Sequence, residues 1–179
     1  MTIMKKILLI ILLAIGCFNA DAQSRGRYKR MPVDSLPYMK SPELPAFNIR
    51  LIDSTTIFNT FNIPKGKPTA IFFFDPGCSH CHDVTEELTR GMDSLKNIQF
   101  YFITPNPDFA AMRRFAAEMH LANYPNIVGI GRDYEFFFID NYNVNSFPDL
   151  ALYDEHKMIV HLFEGRVTVK DLYEYTHKK

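Results

Sequence analysis

Ile71-Phe72-Phe73-Phe74-Asp75-Pro76-Gly77-Cys78-Ser79-His80-Cys81-His82 is the stretch on which the reading of this chain turns. Its four consecutive apolar residues, preceded by Thr69 and Ala70, suit a strand buried on both faces of a sheet. Asp75-Pro76-Gly77 breaks the run. Val84, Leu88, Met92 and Leu95 then recur at three- and four-residue spacing, which predicts an amphipathic helix reaching to about Leu95. Cys78 and Cys81 thus stand where a strand meets a helix, at a spacing that closes a small disulfide or opens to a dithiol. The chain has three cysteines, and the third, Cys17, falls in a removable segment. A chain left with one Cys-x-x-Cys pair uses it for chemistry, because a loop this short constrains an unfolded chain little.

The N-terminus reads as a signal peptide over residues 1–22. Lys5 and Lys6 precede an apolar stretch, Ile7 to Ile15, that is short for a bilayer span. Ala20-Asp21-Ala22 offers a small-x-small cleavage site before Gln23. The alternative is a membrane tether through lipidation of Cys17, which follows Gly16. Either route exports the domain to the periplasm or cell envelope, where disulfides persist. Residues 23–41 read as a flexible linker, basic at Arg25, Arg27, Lys29 and Arg30. The 20 basic and 20 acidic residues of the whole chain balance, which gives no support for nucleic-acid binding.

From Ala46 onward the pattern is that of a folded domain. Phe47, Ile49 and Leu51 alternate with polar residues as in a half-buried strand. Thr56 to Ile63 suits a second short strand, and Lys65-Gly66-Lys67-Pro68 a turn leading into Thr69–Phe74. Ile98 to Thr104 is a further strand. Asp108 to Leu121 is a helix with Phe109, Met112, Phe115 and Met119 inward. Asn126 to Ile130 is a strand, and Tyr134 to Asn141 an aromatic, mostly helical segment. Asp149–Tyr153 and Ile159–Phe163 form a hairpin around Asp154-Glu155-His156-Lys157, and Val169–His177 closes the chain as a helix. This order predicts an α/β fold, a central mixed β-sheet with helices on both faces.

The strand–Cys-x-x-Cys–helix junction, together with Pro148 ahead of the hairpin, resembles the thioredoxin superfamily. The Gly66-Lys67-Pro68 turn and the preceding strand are most similar to its TlpA/ResA-type branch of exported thiol–disulfide oxidoreductases. The resemblance covers residues 42–179 and implies a thioredoxin-like domain. It implies that Pro148 is cis and faces the cysteines, with the backbone of Phe147 free to pair with an extended substrate. Phe147 and Gly77 are the expected substrate-contacting positions. The implied substrates are cysteine-containing envelope proteins, with an upstream membrane or envelope redox partner and no cofactor.

The chemistry needs a thiolate at Cys78. At the start of the helix, the N–H groups of Ser79 to Cys81 and the helix dipole favour negative charge there. Cys81, one turn in, is more buried. Cys78 is therefore expected to attack a substrate disulfide and Cys81 to resolve the mixed disulfide. His80 is the expected donor or positive charge beside Cys78, as in Cys-x-His-Cys motifs of oxidising and isomerising relatives. Asp75, Glu86 and Glu87 are candidates for moving the Cys81 proton. The chain departs from the family in three places. Gly77 stands where many relatives have tryptophan. Phe72 occupies the strand position where thioredoxin buries an acid. Val84 stands where the ResA-type pattern has glutamate.

Three rival readings remain in view. Cys78-Ser79-His80-Cys81-His82 is a literal c-type haem attachment sequence, with His82 as the axial ligand. Cys78, Cys81 and one of His80 or His82 would begin a zinc site, which lacks a second Cys/His pair in sequence. A redox-inactive module would use the fold only to present a peptide groove.

Overall fold

The computed structural model describes residues 35–177. Within them seven strands form one sheet, β1 (Asn48–Leu51), β2 (Ile57–Asn59), β3 (Thr69–Phe73), β4 (Gln99–Thr104), β5 (Ile127–Arg132), β6 (Asp149–Tyr153) and β7 (Ile159–Glu164). Their order across the sheet is β2-β1-β5-β4-β3-β6-β7. β3, β4 and β5 run parallel, with the antiparallel pairs β1–β2 and β6–β7 added at the two sides. β3 lies between β4 and β6, and every one of its residues is buried. The continuous apolar run at Ile71–Phe74 follows from that position, since a strand covered on both faces has no side to spare for water.

Five helices accompany the sheet: α1 (Pro37–Lys40), α2 (Ser79–Arg90), α3 (Phe109–Glu118), α4 (Phe137–Tyr142) and α5 (Val169–His177). The two-residue period of the strands sorts the core into two layers. Ala70, Phe72, Phe74, Phe100, Phe102, Leu150 and Leu152 face α2, α3 and α5, meeting Val84 and Leu88, Met112 and Phe115, and Leu172. Ile71, Phe73, Tyr101, Ile103, Ala151 and Tyr153 face the other way, onto Phe138 and Tyr142 of α4 and onto Phe47 and Ile49. Aromatic rings supply much of both layers. Phe74 lies 4.5 Å from Phe115 on one side and Phe73 lies 4.5 Å from Phe138 on the other, centroid to centroid. The expected mixed α/β sheet with helices on both faces is the one observed.

Two expectations need correction, and a third lies largely out of view. The helix after the cysteines ends at Arg90, not near Leu95. Gly91 breaks it, and Met92–Leu95 continue as a 3-10 turn that still buries Met92 and Leu95. The apolar stripe is real but its last part is wound more tightly. α5 packs closely at this point: a Cβ on Gly91 would lie 2.4 Å from one methyl of Val169 and 2.8 Å from the other. The presumed linker is also shorter than residues 23–41. Pro37–Lys40 is a helical turn, Leu36 beside it is buried, and Tyr38 packs 5.4 Å from the Tyr142 ring. The expected signal peptide, residues 1–22, and residues 23–34 of the expected linker lie outside the described residues. Among the described residues no helix is long and apolar enough to cross a membrane.

Gly91→Ala tests the close approach of α5. The new methyl must displace Val169 and loosen α5 from the end of α2. Urea denaturation should show a loss of about 1–3 kcal/mol, the range for overpacking a well-filled site. Unchanged stability would mean that α5 yields freely at this point.

Candidate active site

The cysteine pair is placed by the C-terminal end of β3 and the first turn of α2. Cys78 is the N-cap residue of α2, with extended backbone angles. Its N–H donates to the Asp75 carbonyl at 3.1 Å, and its own carbonyl accepts the N–H groups of Cys81 and His82 at 3.0 and 3.2 Å. This short network holds the Cys78 sulfur at the amino end of a twelve-residue helix, where peptide dipoles favour negative charge. Cys78 is half-buried and Cys81 is fully buried, and both are free thiols. Cys81 belongs to the layer formed by Phe74, Val84 and Leu88. Burial pushes the Cys81 thiol well above its ordinary range, opposed in part by the Asp75 backbone N–H that donates to its sulfur.

The second side of the site comes from the loop entering β6. Pairing of Phe73 with Asp149 sets Phe147 and Pro148 beside the end of β3. The Phe147–Pro148 peptide is cis. The Cys78 thiol donates to the Phe147 carbonyl at 3.8 Å, a contact between residues 69 positions apart. The Phe147 ring packs against Phe73, 5.3 Å between centroids. Cys78, Cys81, Phe147 and Pro148 are thus brought together.

Other predicted residues fare differently. Gly77 is exposed immediately before Cys78. His80 is exposed on the first turn of α2 and makes no hydrogen bond to the Cys78 sulfur, so it is not the donor expected there. Its position on the helix carries it outward while Cys78 faces β6. His82, proposed as a haem or zinc ligand, has its Nε2 3.0 Å from the Pro76 carbonyl and its ring edge-on to Phe115. With Cys81 inside the core and His82 engaged in this way, the haem reading draws no support from the geometry. No group of three or more His, Cys, Asp or Glu side chains among the described residues is arranged to hold a metal ion. Glu86 is exposed, and Glu87 lines a cavity with Ser94, Lys170 and Tyr173 away from the sulfurs. Asp75 alone of the three acidic candidates lies at the cysteines. Its carboxylate accepts the Gly77 N–H at 2.8 Å and the Asn106 side-chain amide at 3.1 Å.

Sequence reasoning missed two residues. Asn106 belongs to the loop after β4, and β4 lies beside β3 in parallel. Loops at the carboxyl ends of adjacent parallel strands converge, so Asn106-Pro107-Asp108 could have been flagged from topology. Asp149, the first residue of β6, is buried and accepts the Gly165 N–H at 3.1 Å. Its alternation with Leu150 places it on the face away from Cys81. Burial pushes its carboxyl up to about 7, with the Glu164 charge adding to the rise and the Gly165 bond opposing it.

A family description, thioredoxin-like domain, matches residues 62–178. The chain therefore belongs to the thioredoxin-like family. Solved structures share the fold. A secreted Mycobacterium tuberculosis disulfide oxidoreductase homologous to E. coli DsbE is 18% identical, with a TM-score of 0.58 over 72% of this chain and 92% of that one. StoA from Bacillus subtilis is 17% identical, with a TM-score of 0.57 over 75% and 98%. The thioredoxin domain of a Bacteroides vulgatus thiol-disulfide oxidoreductase is 18% identical, with a TM-score of 0.59 over 81% and 95%. At such identities the likeness is one of fold. No curated protein matches the chain by sequence.

Asp149 makes stability depend on pH. Its folded value of about 7 exceeds its ordinary 3.8, so between those limits the folded state binds the extra proton. Its contribution is whole below pH ~4 and is lost as pH rises through ~7. Asp149→Asn keeps an acceptor for Gly165 and cannot ionise. Thermal or urea unfolding should show the variant gaining on wild type from pH 4 to 8, by on the order of 2 kcal/mol. A constant difference across that range would mean that Asp149 is ionised throughout.

Proposed function

We propose that this chain is an exported thiol–disulfide oxidoreductase of the TlpA/ResA type, exchanging disulfides with cysteine-containing envelope proteins. The observation that carries the reading is the pairing of a half-buried Cys78 at the amino end of α2, facing the Phe147 carbonyl, with a fully buried Cys81 one turn behind. A nucleophile must reach substrate, and a resolving thiol must be held back from it. A peptide-presenting module without redox chemistry has no use for that asymmetry.

In the forward direction the Cys78 thiolate attacks one sulfur of a substrate disulfide. The substrate bond breaks, the other substrate sulfur leaves as a thiolate, and a Cys78–substrate mixed disulfide forms. Cys81 then attacks the Cys78 sulfur, closing the Cys78–Cys81 disulfide and releasing the second substrate thiol. Two electrons pass to the substrate. Run in reverse, the same steps oxidise it. An envelope redox partner resets the pair. The exposed Gly77 and the backbone of Phe147 border the sulfur where an extended substrate would lie.

Trapping tests the assigned roles. Cys81→Ser should accumulate mixed disulfides on Cys78, at least about tenfold more than Cys78→Ser, because Cys81 is buried and cannot meet a protein substrate. Non-reducing electrophoresis of envelope extracts reads this. Equal trapping by the two variants would reverse or abolish the assignment.

Export follows from residues 1–22 and has a direct check. The exported protein should begin at Gln23, and its intact mass should match cleavage after Ala22. A diacylglyceryl group on Cys17 would instead establish the membrane-tethered form.

A further inference from the structure

Beside Gly77 a cleft of about 360 Å³ opens between the start of α2 and α3. α3 contributes Ala111, Arg114, Phe115 and Glu118 to it. These residues recur at three and four, so one face of the helix runs the length of the cleft. From Ala111 to Glu118 that face extends roughly 10 Å, at the helical rise of about 1.5 Å per residue. The floor is apolar: Phe115 is buried and meets the edge of the His82 ring at 4.8 Å. Both helices follow the carboxyl ends of the parallel neighbours β3 and β4, so the amino end of α3 lies at the same end of the sheet as Cys78. Pro76 and Gly77 form that end of the cleft. Gly77 is exposed, and a Cβ there would lie 3.2 Å from Asp75 Oδ1, so the mouth carries no side chain of its own.

The charges along the cleft are unevenly placed. Arg114 Nη2 lies 3.9 Å from Asp108 Oδ2, which ties the guanidinium to the amino end of α3. Glu118 is the last residue of α3, and among the described residues it forms no ion pair. A carboxylate at the carboxyl end of a helix works against the helix dipole. No basic residue stands in the last turn of α3 to offset it. The fold therefore offers no reason for an acid at this point.

We propose that the cleft is a substrate subsite for a lysine or arginine side chain within two residues of the substrate cysteine, and that Glu118 selects it. The proposal rests on the oxidoreductase reading above and names its substrate class. With the substrate sulfur at Cys78 and its backbone beside Phe147, an extended chain advances about 3.3 Å per residue, which carries a flanking residue over Gly77. The methylene stem of a long basic side chain lies along Pro76 and Phe115, and its charged head reaches Glu118. A short side chain cannot span the cleft. An acidic one meets Asp75 at the mouth and Glu118 at the far end. A long apolar one covers the Glu118 carboxylate without giving it a partner. The exchange at Cys78 is unchanged, and the subsite decides which substrates are held there.

The probe is a set of short peptides with one cysteine carried as its mixed disulfide with thionitrobenzoate. They are identical except for lysine, norleucine or glutamate at one or two positions before or after the cysteine. Reduced protein in a Cys17→Ser background attacks the peptide sulfur, because thionitrobenzoate is the better leaving thiol, and its absorbance reports the rate. At one of these positions the lysine peptide should react about fivefold faster than the glutamate peptide, with norleucine between them, as a partly exposed charge pair allows. Glu118→Lys should reverse that order by a similar factor, and Glu118→Gln should bring the ratio within about twofold of one. If one of these variants does not fold, the other decides. Glu174→Lys makes the same change of charge on exposed α5 and should keep the wild-type order. Equal rates for the three peptides at every position overturn the subsite. So does a lysine preference that survives at Glu118→Lys or Glu118→Gln, or one that Glu174→Lys also reverses, since the field of the whole protein would then be its source. Failure of the wild type to release thionitrobenzoate from any peptide would instead overturn the thiol–disulfide reading.

Discussion

The hydrogen-bonded register of β3 with its two neighbours determines what surrounds the cysteines. On one side, antiparallel pairing with β6 puts Phe73 opposite Asp149, which sets the Phe147 carbonyl 3.8 Å from the Cys78 sulfur. On the other, parallel pairing with β4 puts Phe73 opposite Ile103, and Phe74 N–H extends the ladder by bonding the Ile103 carbonyl. That second register delivers Asn106 to Asp75. A shift of one residue in either ladder would turn Phe72 and Phe73 to the wrong faces and remove a partner from the site. The apolar faces of β3 enforce the register, so packing far from the sulfurs holds them in place.

Fold class was legible because it rests on periodicity. The five-residue buried strand, the helical stripe at Val84 and Leu88, and the closing hairpin and helix all announce themselves in residue spacing. The end of α2 was not legible in the same way. Met92 and Leu95 continue the helical period, and the residue that leaves room only for glycine at position 91, Val169, lies seventy-eight residues further on. Leu36 and Tyr38 were lost among prolines and charges because their partners, such as Tyr142, lie about a hundred residues away.

The site was read in proportion to how local its chemistry is. Cys78 and Cys81 share one turn of helix, and their different burial follows from that turn. Phe147 and Pro148 came only through resemblance to a family, since nothing in the local sequence ties them to the cysteines. The expectation for His80 rests on resemblance to Cys-x-His-Cys motifs, and the structure leaves its side chain exposed on the first helical turn. Asn106 has no motif, and its place is a property of the sheet.

Complete burial of Cys81 also separates injury from recovery. A small oxidant arriving from solvent meets the Cys78 sulfur and not its partner. A sulfenic acid formed on Cys78 would then sit beside a thiol that the oxidant cannot reach. Condensation of the two expels water and yields the ordinary disulfide, short of the irreversible acids higher on the oxidation ladder. The apolar wall of Phe74, Val84 and Leu88 therefore keeps one sulfur in reserve, and survival of the pair under oxidants depends on that wall staying closed.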